Sequence, residues 1–350
     1  MNSLATRCFN GVRSRVSVCQ WPVRGVRLFG AALLASALLW AQFKPAGQPA
    51  PEKPSTAASA GNAAAPAPNS PIPPAIFSVK VHLVRLLATV RDRAGTVLTS
   101  LNREDFHVVA DGVPQEISIF ERTTAVPLSV AILVDTSGST RIDLQYEVNS
   151  VSRFLHALVG EGNPQDTFAL YSFNWQVRLE TDYGRNPRRA EQALKKLVGS
   201  GGTSLYDAIY LVSNELEPRE GRHVIVVVSD GGDTASFKRF ADAQRAAQQA
   251  DAVLYPIVVV PIESDAGRNT GGEHALQTIA AGTGGRMFYP AGFEQLDSTF
   301  SEILHELRTQ YFLGFYPKGV SSQPRQFHRV EVATANAAWR VSARTGYYEP

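Results

Sequence analysis

Residues 128–139 read LSVAILVDTSGS, and the reading of this stretch decides the fold. From Leu128 to Val134 the run is apolar at every position except Ser129. A strand of that kind is buried on both faces, as in a parallel sheet covered by helices on each side. It ends in Asp135-Thr136-Ser137-Gly138-Ser139, a carboxylate followed by turn residues. Beyond it Leu144, Val148, Val151, Leu155 and Leu158 recur at helical spacing. The alternation continues. TFALYSF (167–173) reads as a strand, Arg188–Val198 and Leu205–Leu216 as helices, and HVIVVVS (223–229) as a strand. Lys238–Gln249 is helical, AVLYPIVVV (252–260) a strand, Glu273–Ala281 helical and RMFYP (286–290) a short strand. A final helix spans Phe293–Gln310. Strand–helix alternation over 126–307 predicts an α/β domain with a doubly wound, mostly parallel sheet, its ligand site at the carboxyl ends of the strands.

Outward from this unit the period changes from helical to alternating. VKVHLVRLLATV (79–90) ends at the turn residues Asp92–Gly95, and DFHVVA meets EISIF across Asp111-Gly112, a hairpin-favouring dipeptide. After the domain, QYFLGFYP, FHRVEVAT and WRVSARTGYY repeat the style, with apolar residues at alternate positions such as Trp339, Val341 and Ala343. Neither end holds enough strands for a core, since an isolated hairpin is marginal in water. Residues 77–125 and 308–350 are therefore expected to pair into one small β-sandwich beside the central domain.

The first 41 residues carry Arg7, Arg13, Arg15, Arg24 and Arg27, no acid, and the apolar run LFGAALLASALLW (28–40). That run suits a signal-peptide core and falls short of the roughly 20 apolar residues of a spanning helix. The expectation is export, to a periplasmic, cell-surface or secreted location, with a mature chain that starts near Gln42 and has no membrane span. An uncleaved signal anchor is the alternative. Residues 42–76 are rich in Pro and Ala without an apolar period, the composition of an extended tether. Taking the leader's five arginines from the 34 basic residues leaves 29 against 32 acids, a weakly acidic remainder without a basic block. Nucleic acid would find no electrostatic footprint there. Cys8 and Cys19 are the only cysteines and both lie in the leader, so the remainder has no disulfide and no thiolate zinc site.

The chemistry-bearing residues fall at the strand ends. Asp135, Ser137 and Ser139 follow the first central strand, Thr203 follows Gly201-Gly202 at a helix start, and Asp230-Gly231-Gly232 follows HVIVVVS. In a doubly wound sheet these three loops share one edge. Two carboxylates and three hydroxyls are all hard oxygen, a set that suits Mg²⁺, with Mn²⁺ or Ca²⁺ as substitutes. Few protein charges leave such an ion electrophilic toward an incoming carboxylate. Asp207, in the first turn of a helix, and Asp233 are candidates for support behind the ligands. Each also has an ordinary reading, as a helix-dipole acid and as a loop acid. The loop PIESDAGRNTGG (261–272) is polar and near the same edge.

Asp135-x-Ser137-x-Ser139, Thr203 and Asp230 resemble the metal-ion-dependent adhesion site of von Willebrand factor A domains, a doubly wound, Rossmann-like fold. The flanks, LNREDFHVVADGVPQEISIF and YFLGFYP…GYYEP, resemble bacterial proteins with a von Willebrand factor A-related domain. The resemblance implies a non-catalytic binding module. In it Ser and Thr hydroxyls contact the metal, the two Asp act directly or through water, and a protein partner supplies an Asp or Glu carboxylate.

Two hydrolase readings and a structural one compete. A haloacid dehalogenase-like phosphatase also places an Asp at its first strand tip, yet needs a second Asp two positions on as general acid. Ser137 stands there, and a hydroxyl of ordinary pKa protonates a leaving group poorly. A subtilisin-like protease would use Asp135 and Gly202-Thr203-Ser204 but needs a His in a Gly-rich helix start, a context His156 lacks. The third alternative is a structural scaffold with an unused metal site. No residue is assigned a catalytic role.

Overall fold

The computed structural model describes residues 82–122, 126–142, 144–160, 162–259, 270–290, 292–320 and 323–349. The leader, the Pro/Ala-rich stretch and most of the 261–272 loop lie outside the described residues, so the readings placed on them rest on sequence.

The central sheet is five-stranded, in the order β7-β6-β5-β8-β9. Here β5 is Leu128–Asp135, β6 Thr167–Phe173, β7 Val177–Gly184, β8 Arg222–Ser229 and β9 Ala252–Val258. The four strands from β6 to β9 across β5 and β8 are parallel. The outermost strand β7 is antiparallel to β6. Sequence reading missed β7, whose VRLETDYG is half polar. At a sheet edge only part of a strand is buried, so its apolar pattern is faint.

Every residue of β5 is buried, and the two-residue period sorts its side chains between two cores. Leu128, Val130, Ile132 and Val134 pack with helices α1 (Leu144–Gly160), α2 (Pro187–Leu194) and α6 (Leu296–Thr309). Ala131 and Leu133 pack with α3 (Leu205–Leu216), α4 (Phe240–Gln249) and α5 (Thr270–Thr283). The α1 stripe read from the sequence is buried in full. At α2, Pro187 takes the first helical position and the Asn186 side chain accepts from the Arg189 N–H, which fixes the start of a short helix. The segment 286–290 is not a strand. Phe288 makes a single parallel bridge to Ile257 and packs near Tyr255.

The flanking strands form two four-stranded antiparallel sheets, β12-β1-β10-β4 and β13-β11-β2-β3. The amino-terminal segment supplies β1 (Val84–Arg91), β2 (Phe106–Ala110), β3 (Val113–Gln115) and β4 (Ile117–Arg122). The carboxyl-terminal segment supplies β10 (Tyr311–Phe315), β11 (Phe327–Thr334), β12 (Arg340–Ala343) and β13 (Gly346–Tyr348). Each sheet mixes strands from both ends, and their inner faces share a third core around Leu86, Phe106, Tyr311 and Phe315. One detail corrects the sequence reading. Across Asp111-Gly112, both at positive φ, β2 pairs with VPQ, and EISIF continues into the other sheet beside β10. A chain that turns a corner between packed sheets looks from sequence like one hairpin arm.

The sandwich meets the α/β unit at the amino-terminal edge of the parallel strands. Gln310, at the end of α6, donates to the Thr89 hydroxyl of β1 (3.4 Å), Arg91 pairs with Glu306, and the Thr345 N–H reaches the Gly282 carbonyl (3.2 Å). Strands of eight residues separate that edge from the carboxyl-terminal one by roughly 25 Å.

Candidate metal centre

Position along β5 puts Asp135 on the same face as Ala131 and Leu133, and the same parity along β8 puts Ser229 there too. The register pairs Val134 with Val228, so Asp135 and Ser229 come side by side at the sheet edge. The Ser229 hydroxyl donates to Asp135 Oδ2 (2.7 Å) and the Ser137 N–H to Oδ1 (2.8 Å). Asp135 is fully buried. Burial pushes its carboxyl up to about 6, the nearby Asp230 charge adds to the rise, and the Ser229 and Ser137 hydrogen bonds oppose it. Among the described residues neither Asp135 nor Asp230 forms an ion pair. Two carboxylates thus share one edge.

Turn chemistry shapes the loop that follows. The Thr140 hydroxyl donates back to the Asp135 and Ser137 carbonyls (3.1 and 3.2 Å) and closes a tight turn. That turn brings the Ser137 and Ser139 hydroxyls within 3.0 Å of each other, with Ser137 buried and Ser139 exposed. Two oxygens at this separation can serve one small cation.

The second loop is laced to the first. Gly138 N–H donates to the Gly201 carbonyl (3.0 Å) and Ser200 N–H to the Thr136 carbonyl (2.8 Å). Gly201 has φ +80°, and a Cβ there would stand 2.6 Å from the Trp175 ring, so only glycine suits the position. Thr203 is buried. Its N–H donates to the Thr234 hydroxyl (2.9 Å) and its carbonyl accepts from the Thr234 and Ala235 N–H groups (2.8 and 2.9 Å). These bonds join the second loop to the third, which begins at Asp230. Five residues read from three separate stretches of sequence therefore lie on loops that are hydrogen-bonded to one another or set side by side by strand register.

Asp207 and Asp233 act on the third loop. Asp207 accepts from the Phe237 and Lys238 N–H groups (3.0 and 2.7 Å), and Asp233 accepts from the Ser236 hydroxyl (2.6 Å) and the Tyr206 N–H (3.3 Å). They pin residues 233–238 against the start of α3. Sequence reasoning missed Ser229 and Thr234. The signal for Ser229 was present, since a lone hydroxyl closes an otherwise apolar strand beside the one that ends in Asp135.

His156, which the protease reading needs, bonds Glu191 on α2 (2.9 Å). Among the described residues no three His, Cys, Asp or Glu side chains cluster as a metal site. No described helix is long and apolar enough to cross a membrane.

No curated protein matches the chain. Among solved structures it is similar to the conserved hypothetical protein BatB from Bacteroides thetaiotaomicron, at 19% identity and a TM-score of 0.41 over 52% of this chain and 100% of that one. It is also similar to the vWF domain of the type V pili tip protein Mfa5 from Porphyromonas gingivalis (13%, 0.42, over 52% and 95%). A von Willebrand factor type A protein from Catenulispora acidiphila is similar over 77% of this chain and 75% of that one (11%, 0.43). The family model of the von Willebrand factor type A domain matches residues 129–302, the stretch from β5 to α6 in which all five candidate ligands lie. Residues 129–302 of this chain are a von Willebrand factor type A domain.

Proposed function

We propose that the domain is an exported, metal-dependent protein-binding module. Asp135, Ser137, Ser139, Thr203 and Asp230 would hold a divalent cation, Mg²⁺ first. The observation that carries this reading is the buried Asp135 carboxylate beside Asp230, at the tip of a strand whose following turn presents two hydroxyls 3.0 Å apart. Such a pair of like charges is relieved by a cation, and hard neutral oxygens complete a shell that Mg²⁺ accepts. Both Asp135 oxygens already accept hydrogen bonds, so Asp230 has more free lone pairs to offer. When bound, the ion supplies a Lewis-acid position for a partner's Asp or Glu carboxylate. The chain's residues bind and orient, and the Ser137 hydroxyl stands where a phosphatase of the haloacid dehalogenase type needs a second Asp as general acid, which favours binding over that turnover.

The test is a thermal melt with Mg²⁺ or Mn²⁺ against chelator. At one hundred times the dissociation constant, binding adds about 2.7 kcal/mol of stability, a rise of roughly 5–10 °C for a domain of this size. Asp230→Ala removes most of the rise, and Ser137→Ala removes less because water replaces a neutral oxygen. Unmoved curves at millimolar metal, or an Asp230→Ala protein that responds as the parent does, overturn the site. Phosphatase or peptidase turnover that disappears in Asp135→Asn would move the protein to the hydrolases. Sequencing the natural protein from its amino terminus checks export, with a start near Gln42 expected and intact Met1 in the cytoplasm against it.

A further inference from the structure

Exposed apolar side chains are not spread evenly over the described residues. The four most exposed large ones are Phe237 (94%), Val198 (73%), Tyr146 (59%) and Trp175 (57%). All four stand at the carboxyl edge of the parallel strands, on segments that carry the candidate ligands or adjoin them. Tyr146 lies in the first turn of α1, just past the Asp135 loop, and Trp175 in the turn from β6 to β7. Val198 leads into the loop that holds Thr203, and Phe237 belongs to the third loop, between β8 and α4. Single apolar residues scattered over a surface are ordinary, whereas a concentration of them on one edge marks an interaction site.

Backbone packing ties these side chains to the metal loops. A Cβ at Gly201 would meet the Trp175 ring (2.6 Å), and a Cβ at Gly202 would meet the Thr234 hydroxyl (2.9 Å) and Ala235 (3.3 Å). The two glycines before Thr203 are thus sandwiched between the indole and the third loop. Phe237 is held by its N–H bond to Asp207 (3.0 Å), while its ring packs on almost nothing. Tyr146 and Val198 adjoin Leu144 and Leu197 of one core, and Phe237 precedes Phe240, which packs against the other. The ligand loops therefore run between apolar flanks on both sides of the sheet. Charge favours the same kind of guest. Arg141 and Lys238 are exposed at the ends of the first and third loops, whereas the Asp207 and Asp233 carboxylates accept from donors within the protein.

We propose that this edge docks a protein segment in which one acidic side chain is flanked by large apolar residues. The acid enters between the ligand loops, and its neighbours rest on Trp175 and Phe237. The inference rests on the metal-site reading above and adds to it the chemistry on either side of the acid. A polar centre of carboxylates and hydroxyls between apolar flanks fits such a segment better than a lipid surface, which would strip water from those groups without replacing it. Exposed aromatic side chains are the usual anchors of a protein interface.

Selection of random peptides displayed on phage, against the immobilised full chain in Mg²⁺, tests the proposal. The expected pool carries an Asp or Glu with aromatic or large aliphatic neighbours. A synthetic peptide from that pool should bind Trp175→Ser and Phe237→Ser each about tenfold more weakly than the parent. Phe237→Ser keeps the test independent of folding, because so exposed a ring contributes little to stability and the variant should melt with the parent. Chelator and Asp230→Ala separate the two readings. A peptide that needs its acid and both aromatic residues but ignores chelator and Asp230→Ala supports the docking surface and overturns the metal centre. A peptide that needs Mg²⁺ and Asp230 but binds both aromatic variants as it binds the parent overturns the docking surface alone. A pool without the acid or without its apolar neighbours, or no pool above background, also overturns it. Sedimentation with phosphatidylserine–phosphatidylcholine vesicles is the last arm, and vesicle binding that Phe237→Ser abolishes would assign the edge to a membrane instead.

Discussion

Replacing Asp135 by Asn tests the physical core of the site without any ligand. In the folded protein the carboxyl group ionises at about 6, against 3.8 for an exposed Asp, because burial disfavours the charge. A folded-state pKa above the unfolded one means that the group's stability contribution is complete below pH 3.8. It is lost as the pH rises through about 6. The difference of about two units corresponds to about 3 kcal/mol of destabilisation at pH 8 in metal-free protein. Asn removes that ionisation and fits the same bonds. Its oxygen accepts from the Ser137 N–H, and its amide donates to the Ser229 hydroxyl, which turns to accept. In chelator at pH 8 the variant should therefore melt higher than the parent by roughly 5–10 °C, less whatever the two charge-assisted hydrogen bonds contributed. The gap should close as the pH falls toward 4, and the variant should gain little from Mg²⁺. Calorimetry from pH 4 to 8 reads all of this. A variant that melts lower than the parent at pH 8, or a gap independent of pH, would refute the reasoning.

Gly201→Ala forces a side chain at φ +80° against Trp175, which should cost about 1–3 kcal/mol and weaken the metal response although no ligand is changed; a normal Mg²⁺ shift in that variant would show that the second loop does not matter. Deleting 308–350 removes β10 from between β1 and β4, and β11 from between β13 and β2. The remaining amino-terminal strands should then become protease-sensitive, and their resistance would contradict the shared core. At the sandwich turn, the hydrogen bond from His328 (2.7 Å) is the main cause holding the Asp111 carboxyl below its usual range. A lowered pKa contributes stability that is present above pH 3.8 and lost as the pH falls. Asp111→Asn should thus cost about 1 kcal/mol or less at neutral pH and nothing in strong acid, as paired melts at pH 7 and pH 3 would read.

Much of this protein was legible in its residues. An unbroken apolar strand, β5, announced a buried parallel sheet, and the helical stripe from Leu144 to Leu158 placed the first covering helix. Strand tips in such a sheet share an edge by topology alone, so Asp135 and Asp230 could be grouped from sequence, whereas Thr203, between α2 and α3, is tied to the third loop by its bonds to Thr234 and Ala235. Other features depended on contacts that sequence does not encode locally. The edge strand β7 carries too little apolar signal because one side of it meets water. The switch of EISIF into the second sheet depends on β10, almost two hundred residues away, offering a better partner than the hairpin. Ser229 reaches Asp135 only because two strands lie in one register, and Asp207 holds residues 237 and 238 only because α3 packs beside their loop. Periodicity reports what each segment buries, whereas the identity of the group it is buried against is decided only when distant segments pack.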